Sequence, residues 1–298
     1  METNITVVGS LALDTLETPK GNRKDLLGGS ATYFAIAASK FTSLEVIGIV
    51  GSDFPDNAWE IFKRSNIDYK NITIKPGKTF SWGGRYNEDY SHRDTLFTEL
   101  GVFDNFHPKI ENSNNKNGIL FLANIHPALQ LDVLNQMHEN ISYVVSDTMN
   151  LWIDIDLDGL MQVISKTNLF LLNDEEAIQL TNTEDLGEAG KIILDMGPET
   201  VIIKMGSKGA LLITDETKII IPCVPNIDVY DPTGAGDSFA GGLIGYLSKY
   251  RDNNIIHALL YASAVASFTV SDFGINKLLN LNLDEIESRV KILESLMK

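Results

Sequence analysis

The chain is poor in positive charge, in cysteine and in long apolar runs. Its 24 lysines and arginines face 40 aspartates and glutamates, a formal net charge of −16. Nucleic acids and anionic membranes require a basic footprint, so neither is an expected partner. Any polyanion the chain binds must be met by backbone dipoles, a few lysines or a metal ion. Cys223 is the sole cysteine, which excludes an internal disulfide and fits a reducing compartment. No stretch approaches the length of a membrane span. Met1 to Gly9 has no basic segment ahead of its apolar run, so it reads as a first strand rather than a leader. A cytoplasmic protein is the expectation. The five histidines show no metal-ligand spacing such as HExxH, and no GxSxG elbow marks a serine nucleophile.

The densest signal present is Asp231 to Gly242, DPTGAGDSFAGG. It follows the strand-like run Lys218 to Val224 and leads into Ala235 to Lys249, which reads as a helix. Gly234, Ala235 and Gly236 leave almost no side chain where that helix begins. Their amides are open to close approach by an anion, which the helix dipole also favours. Asp237 stands directly after them. A carboxylate there repels a phosphate, but it suits a base that takes the proton from a hydroxyl attacking a phosphoryl group. A simpler reading makes DPTG a turn and Asp237 a first-turn acid that complements the dipole. It leaves Gly241 and Gly242 unexplained, since glycine inside a helix costs about 1 kcal/mol relative to alanine. Close approach of another backbone or of a ligand accounts for them.

This stretch resembles the C-terminal signature of the ribokinase-like (PfkB) family of carbohydrate and nucleoside kinases. The resemblance implies ATP-dependent phosphorylation of a hydroxyl, with Asp237 as base and the amides of Gly234, Ala235 and Gly236 as anion hole. It implies one α/β domain over residues 1–298, a mostly parallel central sheet flanked by helices. A small antiparallel β lid is expected at about residues 67–100. There, Thr79 to Tyr86 and Asp94 to Leu100 alternate and carry aromatics, with no crossover helix between them. Trp82 and Tyr86 share one strand face, which makes a stacking platform for a sugar or base, the lid's own core or a dimer contact. The family's lid covers the substrate and often mediates dimers, so a homodimer through it is implied.

Other family-like segments occur in family order. Asp14, past the strand Ile5 to Gly9, holds the place of the family's substrate-binding aspartate; from the residues alone it reads equally as a solvated loop acid. Gly28 and Gly29, before a helix that Ser30 is expected to cap, resemble the N-terminal signature whose glycines touch the sugar. Tyr33 stands where the family usually has asparagine, a departure from the common hexose and ribose specificities. Asn124, at the end of the strand-like Gly118 to Ala123, is a pocket candidate, because open parallel sheets bind ligands beyond the carboxyl ends of their strands. Asn112 to Asn117 reads as a surface loop.

Asn173 and Glu176 have capping-box spacing at a strand-to-helix junction. The resemblance makes the same pair an N-x-x-E motif, Asn173 on the nucleotide side and Glu176 an indirect contact to Mg²⁺. Lys204, Gly206 and Gly209 resemble the nucleotide-side turn, with Lys204 where threonine is common. Asn254 to Ser271, with Ser263, resembles the helix that packs against adenine. Asp231 and Thr233, joined by Gly274, would form a monovalent-cation loop, so K⁺ is a candidate ion beside ATP and Mg²⁺. Leu283 to Leu296 closes as an amphipathic helix. The expected acceptor is a small sugar or sugar-like molecule. An adenosine-type nucleoside is the alternative, favoured by the aromatic lid and the missing asparagine. A non-catalytic ligand-binding protein is the third reading, against which the retained Asp237 and N-x-x-E motif stand.

Overall fold

A computed structural model describes residues 3–110, 115–252 and 254–297. The chain opens with β1 (Thr3–Val8), β2 (Ala12–Thr18), β3 (Gly21–Gly28), α1 (Ser30–Ala38), β4 (Leu44–Gly51) and α2 (Asp56–Arg64). Next come β5 (Ile67–Lys75), β6 (Phe80–Tyr86), β7 (Arg93–Glu99), β8 (Asn115–Leu122), α3 (Pro127–Met137) and β9 (Ile141–Asp147). Then follow α4 (Asn150–Ile155), α5 (Leu157–Ile164), β10 (Leu169–Asn173), α6 (Asp174–Thr181) and α7 (Leu186–Leu194). The last third holds β11 (Thr200–Lys204), β12 (Ala210–Ile213), β13 (Lys218–Ile221), α8 (Ala235–Tyr250), α9 (Ile255–Thr269), α10 (Asn276–Leu279) and α11 (Leu283–Leu296).

The main sheet has nine strands in the order β13-β12-β11-β10-β9-β8-β1-β4-β5. From β11 to β5 every pairing is parallel, while β12 and β13 are antiparallel additions at one edge. The inner strands β4 and β10 are buried almost throughout, without the exposed positions of the edge strand β5, because helices cover both faces there. On β10, Leu169 and Leu171 pack into the core shared with α1, α8 and α9, whereas Phe170 and Leu172 pack against α5, α6 and α7. Among the described residues, no helix is long and apolar enough to cross a membrane.

The second sheet has the order β3-β2-β6-β7. It consists of two antiparallel pairs, β2–β3 and β6–β7, joined by a parallel seam between β2 and β6. Its boundaries differ from those expected. Residues 67–75 belong to the edge of the main sheet as β5, and half of the lid comes from residues 12–28. A strand whose partner lies 68 residues on, as Ala12 pairs with Phe80, carries no local mark of that pairing. Asp14 is accordingly a lid residue on β2, and at 3% exposure it is no solvated loop acid. Of the expected loop at 112–117, residues 112–114 lie outside the described residues and 115–117 begin β8.

Helix starts follow the local chemistry with one exception. Gly29, at φ 91°, is the N-cap of α1 rather than Ser30, whose hydroxyl instead takes the Ser10 amide at 3.1 Å. Gly241 and Gly242 are explained by backbone contact and not by a ligand. A Cβ on Gly241 would lie 2.7 Å from the Phe34 carbonyl of α1, and one on Gly242 would lie 3.1 Å from the Tyr261 carbonyl of α9. These glycines let α8 press against both helices, which fixes where its N-terminus points. Gly241→Val is predicted to destabilise the fold by roughly 1–3 kcal/mol through overpacking, read as a lowered Tm in thermal melts. An unchanged Tm would show that α1 and α8 are free to separate.

Candidate active site

The strands β8, β9, β10 and β11 end side by side, and their carboxyl ends carry Asn124, Asp147, Asn173 and Lys204. The N-terminus of α8 lies across this edge. Gly234, its N-cap, has a left-handed φ of 73°, and a Cβ there would run into the ring of Tyr33. Gly236 is tight for a different reason: its Cβ would lie 3.2 Å from Lys204 Nζ. Each glycine of the GAG therefore makes room for one named side chain. The Ala235 amide donates to the Pro232 carbonyl at 3.2 Å. This narrows the expected three-amide anion hole to Gly234 and Gly236 in the free protein.

Asp237 follows on the first turn of α8 and is half-buried. Removal from water pushes its carboxyl up to about 7; Asp147 adds to the rise and Lys204 opposes it. Lys204 Nζ donates to Asp147 Oδ2 at 2.6 Å. Strand register accounts for this pair. Asp147 and Ile202 both align with Leu171 of β10, and Lys204 is two residues beyond Ile202 on the same face. Lys204 thus reaches across β10 to the second strand over. Burial opposes its charge, but Asp147, Glu176 and Asp237 outweigh burial and hold the ammonium above the usual lysine range.

Asn173 and Glu176 form the expected capping box: Asn173 Oδ1 accepts the Glu176 amide at 2.8 Å, and Glu176 Oε2 accepts the Asn173 amide at 2.7 Å. Glu176 also faces the Lys204 pair. Burial pushes its carboxyl up to about 7, with Lys204 drawing it down and Asp147 raising it. Among the described residues, no three His, Cys, Asp or Glu side chains are grouped to cage a metal ion. A single buried carboxylate with one oxygen already bonded suits contact through water with a divalent ion carried by phosphates.

The lid forms the opposite wall. Burial pushes the Asp14 carboxyl up to about 8, with Asp231 adding to the rise and the Gly29 amide opposing it. Gly28 is required beside it, because a Cβ would strike that carboxylate. Tyr33 is fully buried, and among the described residues its hydroxyl has no hydrogen-bond partner. Asp231 is fully buried too; its oxygens accept the amides of Thr233 at 2.9 Å and Gly274 at 3.0 Å, tying the expected cation loop together. Thr233 Oγ1 meets the lid's Tyr86 hydroxyl at 2.9 Å, and the Tyr90 hydroxyl donates to the Tyr230 carbonyl at 3.3 Å.

Trp82 aligns with Asp14 across the parallel seam and shares its face; its ring lies over Gly84, with Arg93 stacked 5.0 Å from the ring centre. Asn124 Oδ1 accepts from Trp152 Nε1 at 2.7 Å. Just past β11, Gly206 turns at φ 54° with open space around it, while Gly209 is packed against the Ile221 carbonyl. Ser263 is buried in α9.

Sequence reasoning passed over Asp147, Tyr90 and Tyr230. Asp147 had a usable signal, since it ends the buried parallel strand β9, at the same sheet edge where Asn124 follows β8. The tyrosines had none, because their contacts span about 140 residues.

A carboxylate beside amides at a helix N-terminus, below a lid carrying a buried acid, is an arrangement compatible with phosphoryl transfer to a hydroxyl. The pfkB family carbohydrate kinase model matches residues 3–280. The chain belongs to that family and is an ATP-dependent phosphotransferase with an alcohol acceptor. It is 28% identical to the cytidine kinase of Thermococcus kodakarensis over 253 residues, 83% of this chain and 90% of that one. Its fold matches the nucleoside kinase of Burkholderia thailandensis in complex with inosine, with a TM-score of 0.82, 18% identity and coverage of 98% and 99%. It also matches the aminoimidazole riboside kinase of Salmonella enterica complexed with its riboside and an ATP analogue, with a TM-score of 0.76, 20% identity and coverage of 96% and 99%.

The buried acids make stability depend on pH. Asp14 ionises near 3.8 when unfolded and at about 8 when folded. Across that window the folded state binds a proton that the unfolded state has released, so stability falls as pH rises from about 4 to 8. Asp14→Asn is predicted to raise Tm more at pH 8 than at pH 5. Thermal melts at the two values check this, and equal shifts would contradict it.

Proposed function

We propose that the chain phosphorylates a ribosyl hydroxyl of a nucleoside with ATP, using Asp237 as general base. The supporting observation is a half-buried carboxylate with proton affinity near neutrality, placed one residue after the Gly234–Gly236 amides. In the reaction, the acceptor oxygen bonds to the γ-phosphorus as the bridge to the β-phosphate breaks. Asp237 takes the acceptor's proton, and ADP leaves. The Gly234 and Gly236 amides, with Ala235 once its turn opens, face the charge on the transferring group. Lys204 supplies the nearest side-chain cation. Glu176 with Asn173 would meet the water shell of a Mg²⁺ ion carried by the triphosphate, which would supply neutralisation of phosphate charge.

The nucleoside preference is supported by the cytidine kinase relative and the inosine-bound neighbour, and by Trp82, an aromatic on the Asp14 face of the lid. In this reading Trp82 stacks on the base, Asp14 accepts from ribose hydroxyls, and Gly28, Gly29, Tyr33 and Asn124 shape the sugar end. Gly206, Gly209 and Ser263 line the adenine side of ATP, and K⁺ is the ion suited to the Asp231–Thr233 loop. A small sugar is the second acceptor class, since Asp14 and the glycine pair need no base to bind one.

ADP release with Mg²⁺-ATP across ribonucleosides and sugars tests the acceptor class. Nucleosides are predicted to turn over with the higher kcat/KM; turnover of sugars alone would overturn the preference. Asp237→Asn is predicted to lower kcat by about 10² to 10⁴ while ATP still binds. Because Asp237 must be ionised to accept a proton, wild-type kcat/KM is predicted to fall as pH drops through about 7. Near-normal turnover in the folded variant would remove Asp237 from the role.

A further inference from the structure

Asp147 has no part in the chemistry so far, yet it holds the best-formed ion pair of the site. It is 4% exposed, its Oδ2 takes Lys204 at 2.6 Å, and its Oδ1 accepts the Thr148 amide at 2.9 Å. Its main chain is fixed as well. The Gln130 side chain, buried in α3, donates to the carbonyls of Asp147 at 3.1 Å and Ala123 at 3.0 Å, locking the ends of β8 and β9 together. A carboxylate fastened this firmly gives Lys204 one preferred place to rest.

That place matters because Lys204 has other choices. Its Nζ lies against Gly236, one residue before Asp237. The charged groups that act on Asp237 are Asp147 from β9 and Lys204 from β11. Asp14 from the lid and Tyr33 from α1 sense Asp237 in turn, and Glu176 from α6 faces Lys204. An unanchored ammonium here would turn to the next carboxylate. Paired with Asp237, it would occupy the base's lone pairs and weaken its pull on a proton.

We propose that Asp147 is a positioning residue for phosphoryl transfer: it anchors the Lys204 ammonium at the edge of the Gly234–Gly236 amides and away from Asp237. The anchor leaves the base free for the acceptor hydroxyl while a cation stays beside the incoming phosphate. It also explains why a chain of strongly negative charge spends a buried carboxylate on this lysine. The inference rests on Asp237 being the base.

The test is the pH dependence of kcat/KM for Asp147→Asn, a same-size change that keeps an acceptor for the Thr148 amide. With its anchor neutral, Lys204 turns to Asp237. The acid limb is then predicted to move down by about one pH unit or more, and the plateau to fall several-fold. Adding Lys204→Gln to that variant is predicted to move the limb back up, and Lys204→Gln alone to move it above wild type. Loss of the Asp147 charge by itself also lowers the limb. The downward shift caused by Asp147→Asn is therefore predicted to be several-fold larger with Lys204 present than in the Lys204→Gln background. Equal shifts in the two backgrounds, or a limb that stays in place or rises, overturn the proposal whatever the change in Tm. Should Asp147→Asn not fold, Asp147→Ser, also neutral and able to accept the Thr148 amide, is compared in the same two backgrounds, and equal shifts there overturn the proposal equally. If Asp237→Asn keeps its turnover, the base reading fails and takes this one with it. If Asp237→Asn is inactive and the limb is unmoved in Asp147→Asn, this inference alone fails.

Discussion

The ion pair between Lys204 and Asp147 is the interaction on which the arrangement of the site depends. Three carboxylates, Asp147, Glu176 and Asp237, converge at the carboxyl ends of β9 to β11, and Lys204 is the cation set among them. Burying one partner of such a pair without the other costs several kcal/mol, on the order of 3–5. Lys204 therefore makes it tolerable to keep these acids out of water. The same burial gives Asp237 and Glu176 proton affinities near neutrality, which a solvated acid does not have. A protein of net charge −16 thus gathers backbone amides and one lysine at this edge of the sheet, rather than a basic surface.

Space is the second constraint, and glycine supplies it. Gly28 admits the Asp14 carboxylate, Gly234 admits the Tyr33 ring, and Gly236 admits the Lys204 stem. Gly241 and Gly242 do the same for the backbones of α1 and α9. Substituting any of these shifts a functional side chain or the helix that carries Asp237. The glycines of the signature stretch divide accordingly into those that shape the site and those that seat the helix behind it.

What the sequence revealed follows the range of each interaction. The start of α8, the Asn173–Glu176 box and α11 were legible because their determinants lie within a few residues. The parallel sheet was legible from apolar strands alternating with helices. The lid's composition was not, because β2 joins β6 through a seam that no local pattern encodes. Nor was the Lys204–Asp147 pair, whose members lie 57 residues apart and meet only through strand order. Ser30 was misassigned as a cap because its hydroxyl is drawn to Ser10, a contact with no trace in the local sequence. Gly241 and Gly242 had a correct general explanation, close approach, but only the packing of α8 identifies the neighbours as backbone.

The role of base requires Asp237 to be a carboxylate kept close to half-protonated at neutral pH by burial and by its neighbours. Carbon-13 NMR titration of the aspartate side chains in the ligand-free protein measures this directly. The account predicts an aspartate resonance titrating near pH 7 that is missing in Asp237→Asn. If no resonance that titrates above about pH 5 is lost in that variant, Asp237 is an ordinary acid and the account is wrong.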